Sequence, residues 1–370
     1  MPNTYRIGVI GHTGRGNYGH GLDRVWLQLA NTQIVAVADD DPEGLAGSVE
    51  RLGAPQGFAD YRQMMDAAKP DIVAIGIRWV DQHHEMVLAA AQRGIHVYLE
   101  KPMCRTPAEA DEMVAACEQH QVKLAIAHQT RYSGSLKVVK ELIDAGRLGR
   151  VLELRSRGKE DARRGGAEDL WVLGSHAMNL MLQIGGEPRW CFATLGEGGR
   201  PVGPDDVKPG NEGLGPLAGD HVQAVYGMDN EVNAYFNSVR GAGASGSRFG
   251  VRIFGTEGVI EMSTGYPPTV RFLPDPFWTS GPRGTSWQQV SSAGLDQPEP
   301  VEEPGLGTGN VAACQDLISA IEQDRLPLCN VYEGRTTVEM ITAIFESHRT
   351  GGPVALPLQN RQNPLAMMKG

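Results

Sequence analysis

No apolar run in this 370-residue chain approaches the roughly 18 residues that a membrane-spanning helix requires. No charged-then-apolar leader precedes the first strand, which begins near residue 5, so no targeting peptide is expected. Cysteine is sparse. Cys104, Cys117, Cys191, Cys314 and Cys329 are odd in number and scattered without CxxC spacing, which fits a reducing compartment and predicts no metal site. Basic residues are outnumbered, 34 Lys and Arg against 44 Asp and Glu, for a net charge of −10. The chain therefore lacks the basic face that nucleic acid or an anionic membrane would demand. The expected location is cytoplasmic. What is present is an ordinary globular composition, 41% hydrophobic and 21% charged, with length enough for two domains.

Up to about residue 127 apolar runs alternate with helical periods. Strands are predicted at 6–10, 33–38, 71–77, 95–99 and 122–127, with helices at 22–29, from Asp41-Pro42 onward, and at 60–68, 82–93 and 106–119. Strand–helix alternation with β-branched buried strands predicts a Rossmann-type, doubly wound parallel sheet, an α/β domain. After about Arg150 the runs VLELRSRG, HVQAVYGM, EVNAYFNSV, RFGVRIFG and GVIEM follow one another between Gly- and Asp-rich turns. They predict an open, mostly antiparallel sheet, so the second domain reads as α+β. The stretches 196–219 and 275–309 read as long loops, and 311–321 and 338–345 as helices. The expected division is 1–127 for a nucleotide-binding domain, 128–358 for a substrate-binding and oligomerisation domain, and 359–370 for a tail.

Four constellations bear chemistry. The first is GVIGHTGRGNYGHG, a glycine-rich turn after the first strand whose amides can approach a pyrophosphate at a helix N-terminus. It reads either as Gly11-x-Thr13-Gly14-x-Gly16 or, shifted, as Gly14-x-Gly16-x-x-Gly19. The second is Asp39 at the end of strand two, where a carboxylate accepts from adenosine ribose hydroxyls and repels a 2′-phosphate; NAD is thus favoured over NADP. Asp40 or Asp41 beside it is expected to cap the following helix. The third is the end of strand three, where Arg78 and Trp79 stand at the mouth of a crevice and an aromatic face can cover a ribose, nicotinamide or sugar. His83 and His84 open the helix that follows; at least one of them is expected to be structural, and His83 is counted among the cofactor-binding residues. The fourth is EDLWVLGSHAMNL, in which His176 opens an apolar helix and can relay a proton or orient a hydroxyl. Above all stands Glu100-Lys101-Pro102, closing the strand IHVYL: an ionisable Lys at the carboxyl end of a parallel strand sits where such sheets hold their ligands.

On the glycine loop, VADDDPE, VYLEKPM, HQTRYSG (128–134), AGRLGRV (145–151), FGTEGVIEM (254–262) and ESHRTGGPVALPL (346–358), the chain resembles the Gfo/Idh/MocA family, the glucose–fructose oxidoreductase and inositol dehydrogenase group. The resemblance implies an N-terminal Rossmann domain, a C-terminal open sheet through which homodimers or homotetramers form, and bound NAD. It implies hydride transfer with a secondary alcohol carbon of a sugar, polyol or glycoside, with Lys101 handling the proton. His176 matches the family's motif histidine, but the acid that the family often carries four residues earlier is here Val172, and a second acid position holds Asn179. Two expectations follow: Asp169, about one helical turn earlier, substitutes for the acid missing at Val172, or His176 and Lys101 suffice without it. Glu100 and Lys101 are expected beside the cofactor, and Arg131, Tyr132 and Trp171, with His176, on the substrate side. Two alternatives accompany this reading: cleavage of a glycoside with NAD recycled in place, and a non-catalytic NAD-binding sensor.

Overall fold

The computed structural model describes residues 4–243, 248–277 and 284–368. The chain divides into two compact units. The first comprises Met1–Gln129, Asn211–Leu214 and Leu306–Arg335; the second comprises Thr130–Gly210, Gly215–Gly305 and Thr336–Gly370.

The first unit is built on six strands: β1 (Tyr5–Ile10), β2 (Thr32–Ala38), β3 (Gly57–Phe58), β4 (Ile72–Ile75), β5 (His96–Leu99) and β6 (Leu124–Ile126). They pair in parallel in the order β3-β2-β1-β4-β5-β6. Ile7, Val9 and all four residues of β4 are completely buried, as strands covered on both faces must be. The strand order reverses between β1 and β4, so a crevice opens at their carboxyl ends. Helices α1 (Pro42–Leu52), α2 (Tyr61–Ala68), α3 (His83–Ala91) and α4 (Pro107–Gln119) connect the strands. Asp41, Asp60 and Thr106 cap three of them by accepting amide hydrogens of the first turn. Asp41, not Asp40, is thus the cap of α1.

One expected helix is missing. The spacing of Leu22, Val25, Trp26 and Leu29 predicts a helix over 22–29, yet only a single 3-10 turn, Val25–Gln28, forms there. Gly14, Gly16, Gly19 and Gly21 hold φ values of +83, +90, +63 and +87°, which a right-handed helix does not permit. The apolar side chains are buried all the same, Leu22, Val25 and Trp26 at 0–1% exposure. Their burial, not helix formation, is what the apolar spacing reported. No α-helix N-terminus follows β1 to receive a pyrophosphate.

The second unit opens with α5 (Gly134–Asp144), β7 (Val151–Arg157), α6 (Ala167–Val172) and α7 (Gly174–Gly185). Strands β8 (Pro188–Glu197), β9 (Arg200–Pro201), β10 (Lys208–Pro209), β11 (Pro216–Leu217), β12 (His221–Met228), β13 (Asn233–Val239), β14 (Gly250–Gly255), β15 (Val259–Ser263), β16 (Val270–Leu273), β17 (Gln288–Ser291) and β18 (Gly294–Leu295) follow. The chain ends through α8 (Leu306–Glu322), α9 (Val331–Thr350) and β19 (Val354–Ala355). An eleven-stranded sheet runs β18-β17-β16-β15-β14-β7-β13-β12-β8-β19, with β9 attached to β8. Every pairing in it is antiparallel except β7 with β13.

Several boundaries differ from the sequence expectation. Leu306–Arg335 folds with the first unit, because the buried Asn310 of α8 accepts from Tyr98 and Gln129 there, each at 2.8 Å. Strand β8 was hidden because Trp190 and Phe192, 38 and 41% exposed, place apolar residues on its outer face and erase the alternation. The stretch 196–219 carries β9 and the β10–β11 pair, and 275–309 carries β17, β18 and the start of α8; residues 278–283 lie outside the described residues. The segment from 359 to 368 is no loose tail. Asn360 donates to Glu346, Arg361 pairs with Glu339, and Asn363 donates to the Pro216 carbonyl. Residues 369 and 370 lie outside the described residues.

Candidate active site

Strand β5 delivers Glu100 and Lys101 to the carboxyl edge of the first sheet. Glu100 is wholly buried and Lys101 is 6% exposed. Lys101 Nζ lies 3.7 Å from Glu100 Oε1, and the same oxygen is 2.8 Å from His20 Nδ1. Burial works to raise the Glu100 pKa, but the His20 hydrogen bond and the charges of His20, Lys101 and His83 outweigh it and hold the carboxyl low. Among the described residues Glu100 Oε2 is buried without a hydrogen-bond partner, and so is Arg78 Nε just beyond β4. His83 is the structural member of the histidine pair, which corrects its place among the cofactor-binding residues: it is completely buried, with its ring nitrogens 2.9 Å from the Pro102 carbonyl and 2.8 Å from the Ile77 carbonyl. It braces the ends of β4 and β5 and presents no nitrogen to a ligand.

His128, just beyond β6, is also buried, and desolvation together with the Lys101 charge pushes its pKa down to about 3. Below about pH 6.5 the unfolded chain takes up a proton that the folded chain refuses, so stability falls as pH falls. The slope is up to about 1.4 kcal/mol per pH unit between about 6.5 and about 3. Urea unfolding at pH 6.5 and pH 5 should therefore show a loss of roughly 2 kcal/mol, and a smaller one in His128→Gln.

The glycine loop is organised around Asp39, which is 1% exposed. Its carboxylate accepts from the Thr13 amide (3.1 Å), the Thr13 hydroxyl (2.7 Å), the Tyr18 hydroxyl (2.8 Å) and the Asp41 amide (3.1 Å). Four donors fill the acceptor sites of one carboxylate. Asp39 therefore fastens the loop and has no acceptor left for a ribose, contrary to the sequence expectation. The Tyr18 ring lies over Gly11, where a Cβ would meet it at 2.2 Å. The amides of Gly11, Thr13 and Gly14 are bound internally, to the Ala38 carbonyl, Asp39 and Asn17 Oδ1. Gly16 differs: its amide makes no hydrogen bond among the described residues, and a Cβ on it would lie 2.8 Å from Arg78 Cβ. Trp79 has one face covered by the Arg15 guanidinium at 4.4 Å, and Arg15 also pairs with Asp81 at 2.6 Å.

Beside this loop a cavity of about 180 Å³ opens at the ends of β1 and β2, lined among others by His12, Asp40, Tyr61, Arg62, Gln82 and Met86. Asp39, Asp40, Asp60 and Glu85 all line it. Of the two that form ion pairs Asp40 is the more exposed, its side chain 60% exposed with His12 Nε2 3.2 Å away, while Glu85 pairs with Arg62 and Asp60 accepts from the amides that open α2. Arg62, which sequence proximity to Asp39 did not reveal, stacks on Tyr61 and pairs with Glu85. The cavity at the strand ends and, separately, the two buried polar atoms without partners among the described residues fit the polar parts of a nucleotide cofactor.

In the second unit His176 is half-buried in the first turn of α7, its ring edge-on to Phe249 at 6.4 Å. Arg131 is half-buried and Tyr132 buried in the 3-10 turn Gln129–Tyr132. Two expected site residues prove structural. Trp171 is 1% exposed and stacks on Phe345. Asp169 is completely buried and accepts from the Ser238 hydroxyl (2.6 Å) and the amides of Lys159 (3.2 Å) and Glu160 (3.0 Å). Burial nevertheless raises its pKa. A carboxylate anchoring a loop in this way does not replace the acid missing at Val172, itself 4% exposed.

Tyr18, His20 and Asn310 escaped the sequence reading, although the glycines flanking His20 marked it as a residue held on a tight turn. Residues 5–128 match the family model described as oxidoreductase family, NAD-binding Rossmann fold (GFO_IDH_MocA), and residues 136–261 match the GFO/IDH/MocA C-terminal domain. Levoglucosan dehydrogenase of Pseudarthrobacter phenanthrenivorans is 30% identical over 126 residues, 34% of this chain and 32% of that protein. A 2,7-anhydro-N-acetylneuraminate hydratase of Mediterraneibacter gnavus is 30% identical over 146 residues, 39% and 37% of the two chains. The match thus spans about a third of the length of these relatives. The structure of a levoglucosan dehydrogenase in complex with NADH superposes with a TM-score of 0.78 at 21% identity, covering 96% of this chain and 99% of that one.

Proposed function

The chain belongs to the Gfo/Idh/MocA oxidoreductase family, whose N-terminal domain is an NAD-binding Rossmann fold, and we propose that it is an NAD-dependent oxidoreductase acting on a secondary alcohol carbon of a sugar, cyclitol or glycoside. The observation that carries this reading is the nearly buried Lys101 at the carboxyl end of β5, ion-paired to the buried Glu100. NAD, when bound, supplies the hydride acceptor. Lys101 removes the hydroxyl proton in oxidation and returns it in reduction, which general acid–base catalysis requires of a positioned amine. Asp40 takes the ribose hydroxyls and its charge disfavours a 2′-phosphate. Gly16 and Arg78 serve the phosphate and nicotinamide side. His176 orients the substrate hydroxyl, with Arg131 and Tyr132 on the substrate side.

No helix among the described residues is long and apolar enough to cross a membrane, and a cytoplasmic location is part of the proposal. So is a homodimer or homotetramer formed through the sheet of the second unit. On that sheet a concavity of about 950 Å³ is lined by Arg155, Tyr235, Phe254, Arg252 and Arg271, with Glu261 pairing the last two. Light scattering should give a mass at least twice that of the chain; a monomer at micromolar concentration sinks this part.

A second reading, glycoside cleavage with NAD recycled in place, is favoured by the apolar Val172 and by the hydratase among the relatives. A panel of sugars, cyclitols and glycosides incubated with NAD separates the two. Net absorbance at 340 nm belongs to the first reading, and cleavage without it to the second. NAD binding with neither outcome leaves a sensor.

A further inference from the structure

His20 stands between two glycines whose φ values of +63 and +87° few other residues adopt. A Cβ on Gly19 would lie 2.4 Å from the Gly76 carbonyl oxygen and 3.2 Å from Glu100 Oε2. The glycine loop is thus pressed against the ends of β4 and β5. Asn310 fixes it from the other side, donating to the His20 carbonyl at 3.0 Å while its own oxygen accepts from Tyr98 and Gln129. The result is one carboxylate oxygen, Glu100 Oε1, 2.8 Å from His20 Nδ1 and 3.7 Å from Lys101 Nζ. Glu100 is completely buried and Lys101 nearly so, whereas the His20 side chain is 33% exposed.

We propose that His20 is the solvent-facing end of a proton path that starts at Lys101 and passes through Glu100. The proposal rests on the assignment of Lys101 as the proton-handling group. Each alcohol oxidised leaves one proton on Lys101, which has little direct contact with water. A rotation of the Lys101 side chain closes the 3.7 Å ion pair to hydrogen-bond distance. The ammonium gives that proton to Glu100 Oε1, Glu100 gives it to the His20 ring, and the ring gives it to bulk water; in reduction the order reverses. One proton enters and one leaves, with no further reactant. Imidazole suits the outer position because Nδ1 accepts in one tautomer and donates in the other. His83 and His128 also interact electrostatically with Glu100. Both are fully buried, and burial holds both imidazoles below their ordinary range, so neither carries protons to solvent.

Two variants of the full chain test this, each checked for folding by thermal melt. His20→Ala removes the hydrogen bond and the relay; His20→Asn keeps a donor near the Nδ1 position but does not relay. In cofactor-free protein, the pH midpoint for acetylation of Lys101 by acetic anhydride, read by mass spectrometry, should shift in His20→Ala and return to the wild-type value in His20→Asn. Turnover should fall about 10²-fold in both, and added imidazole should restore much of it in His20→Ala. An unshifted labelling midpoint in His20→Ala, or full turnover in His20→Asn, overturns the path. The labelling result needs no substrate, so it stands apart from any failure of the oxidoreductase reading itself.

Discussion

Lys101→Ala is expected to lose turnover by about 10²- to 10⁴-fold while its affinity for NAD stays within a few-fold of wild type. The expectation follows from the placement of the amine. Lys101 lies two residues beyond the end of β5 at 6% exposure, and the cavity of about 180 Å³ at the ends of β1 and β2 does not include it. Its removal therefore leaves the groups assigned to the adenosine half of the cofactor in place. Glu100 stays hydrogen-bonded to His20, so the buried charge is not abandoned altogether. Lys101→Met keeps most of the side-chain volume and separates packing from chemistry. Calorimetric NAD titration beside a steady-state assay reads both halves of the prediction. A variant that turns over at the wild-type rate would remove Lys101 from the mechanism.

The second large effect separates two adjacent carboxylates. Asp39→Ala should destabilise the protein by about 3 kcal/mol, because the amide and hydroxyl of Thr13, the Tyr18 hydroxyl and the Asp41 amide would lose their common acceptor. The glycine loop would loosen with it, and NAD binding should weaken as a consequence. Asp40→Ala should leave stability within about 0.5 kcal/mol of wild type, since the side chain is largely exposed and its partner is an imidazole at 3.2 Å. It should nevertheless weaken NAD binding and narrow the preference for NAD over NADP. Urea unfolding and cofactor titration on the two variants decide the matter. Equal loss of NAD affinity in both, with stability unchanged in both, would return the ribose contact to Asp39.

These two residues also mark how far the sequence could be read. The parallel sheet was legible because β1, β2 and β4 are buried on both faces and their apolar runs have no other use. Lys101 was legible because its strand fixes its address. Asp39 was placed correctly at the end of β2, but its role depends on a tyrosine 21 residues upstream folding back over Gly11, which no periodicity records. The missing helix after β1 has the same origin: apolar spacing reports burial, and four glycines at positive φ decide the conformation. Trp171 and Asp169 lie in a helical run where a site residue and a buried structural one look alike in sequence. Their partners, Phe345 and Ser238, come from 174 and 69 residues away. Asn310 lies farther still, about 290 residues from the histidine whose carbonyl it holds.

The central claim, hydride chemistry on an alcohol carbon with Lys101 moving the proton, is tested most directly in a single turnover. Enzyme in excess over NAD is mixed with the panel of sugars, cyclitols and glycosides, and absorbance at 340 nm is followed for the wild type and Lys101→Ala. The expected result is a rise with at least one compound in the wild type and a rate at least about 10²-fold lower in the variant. A rise at the same rate in both proteins, or none with any compound in a wild type that binds NAD, would contradict it.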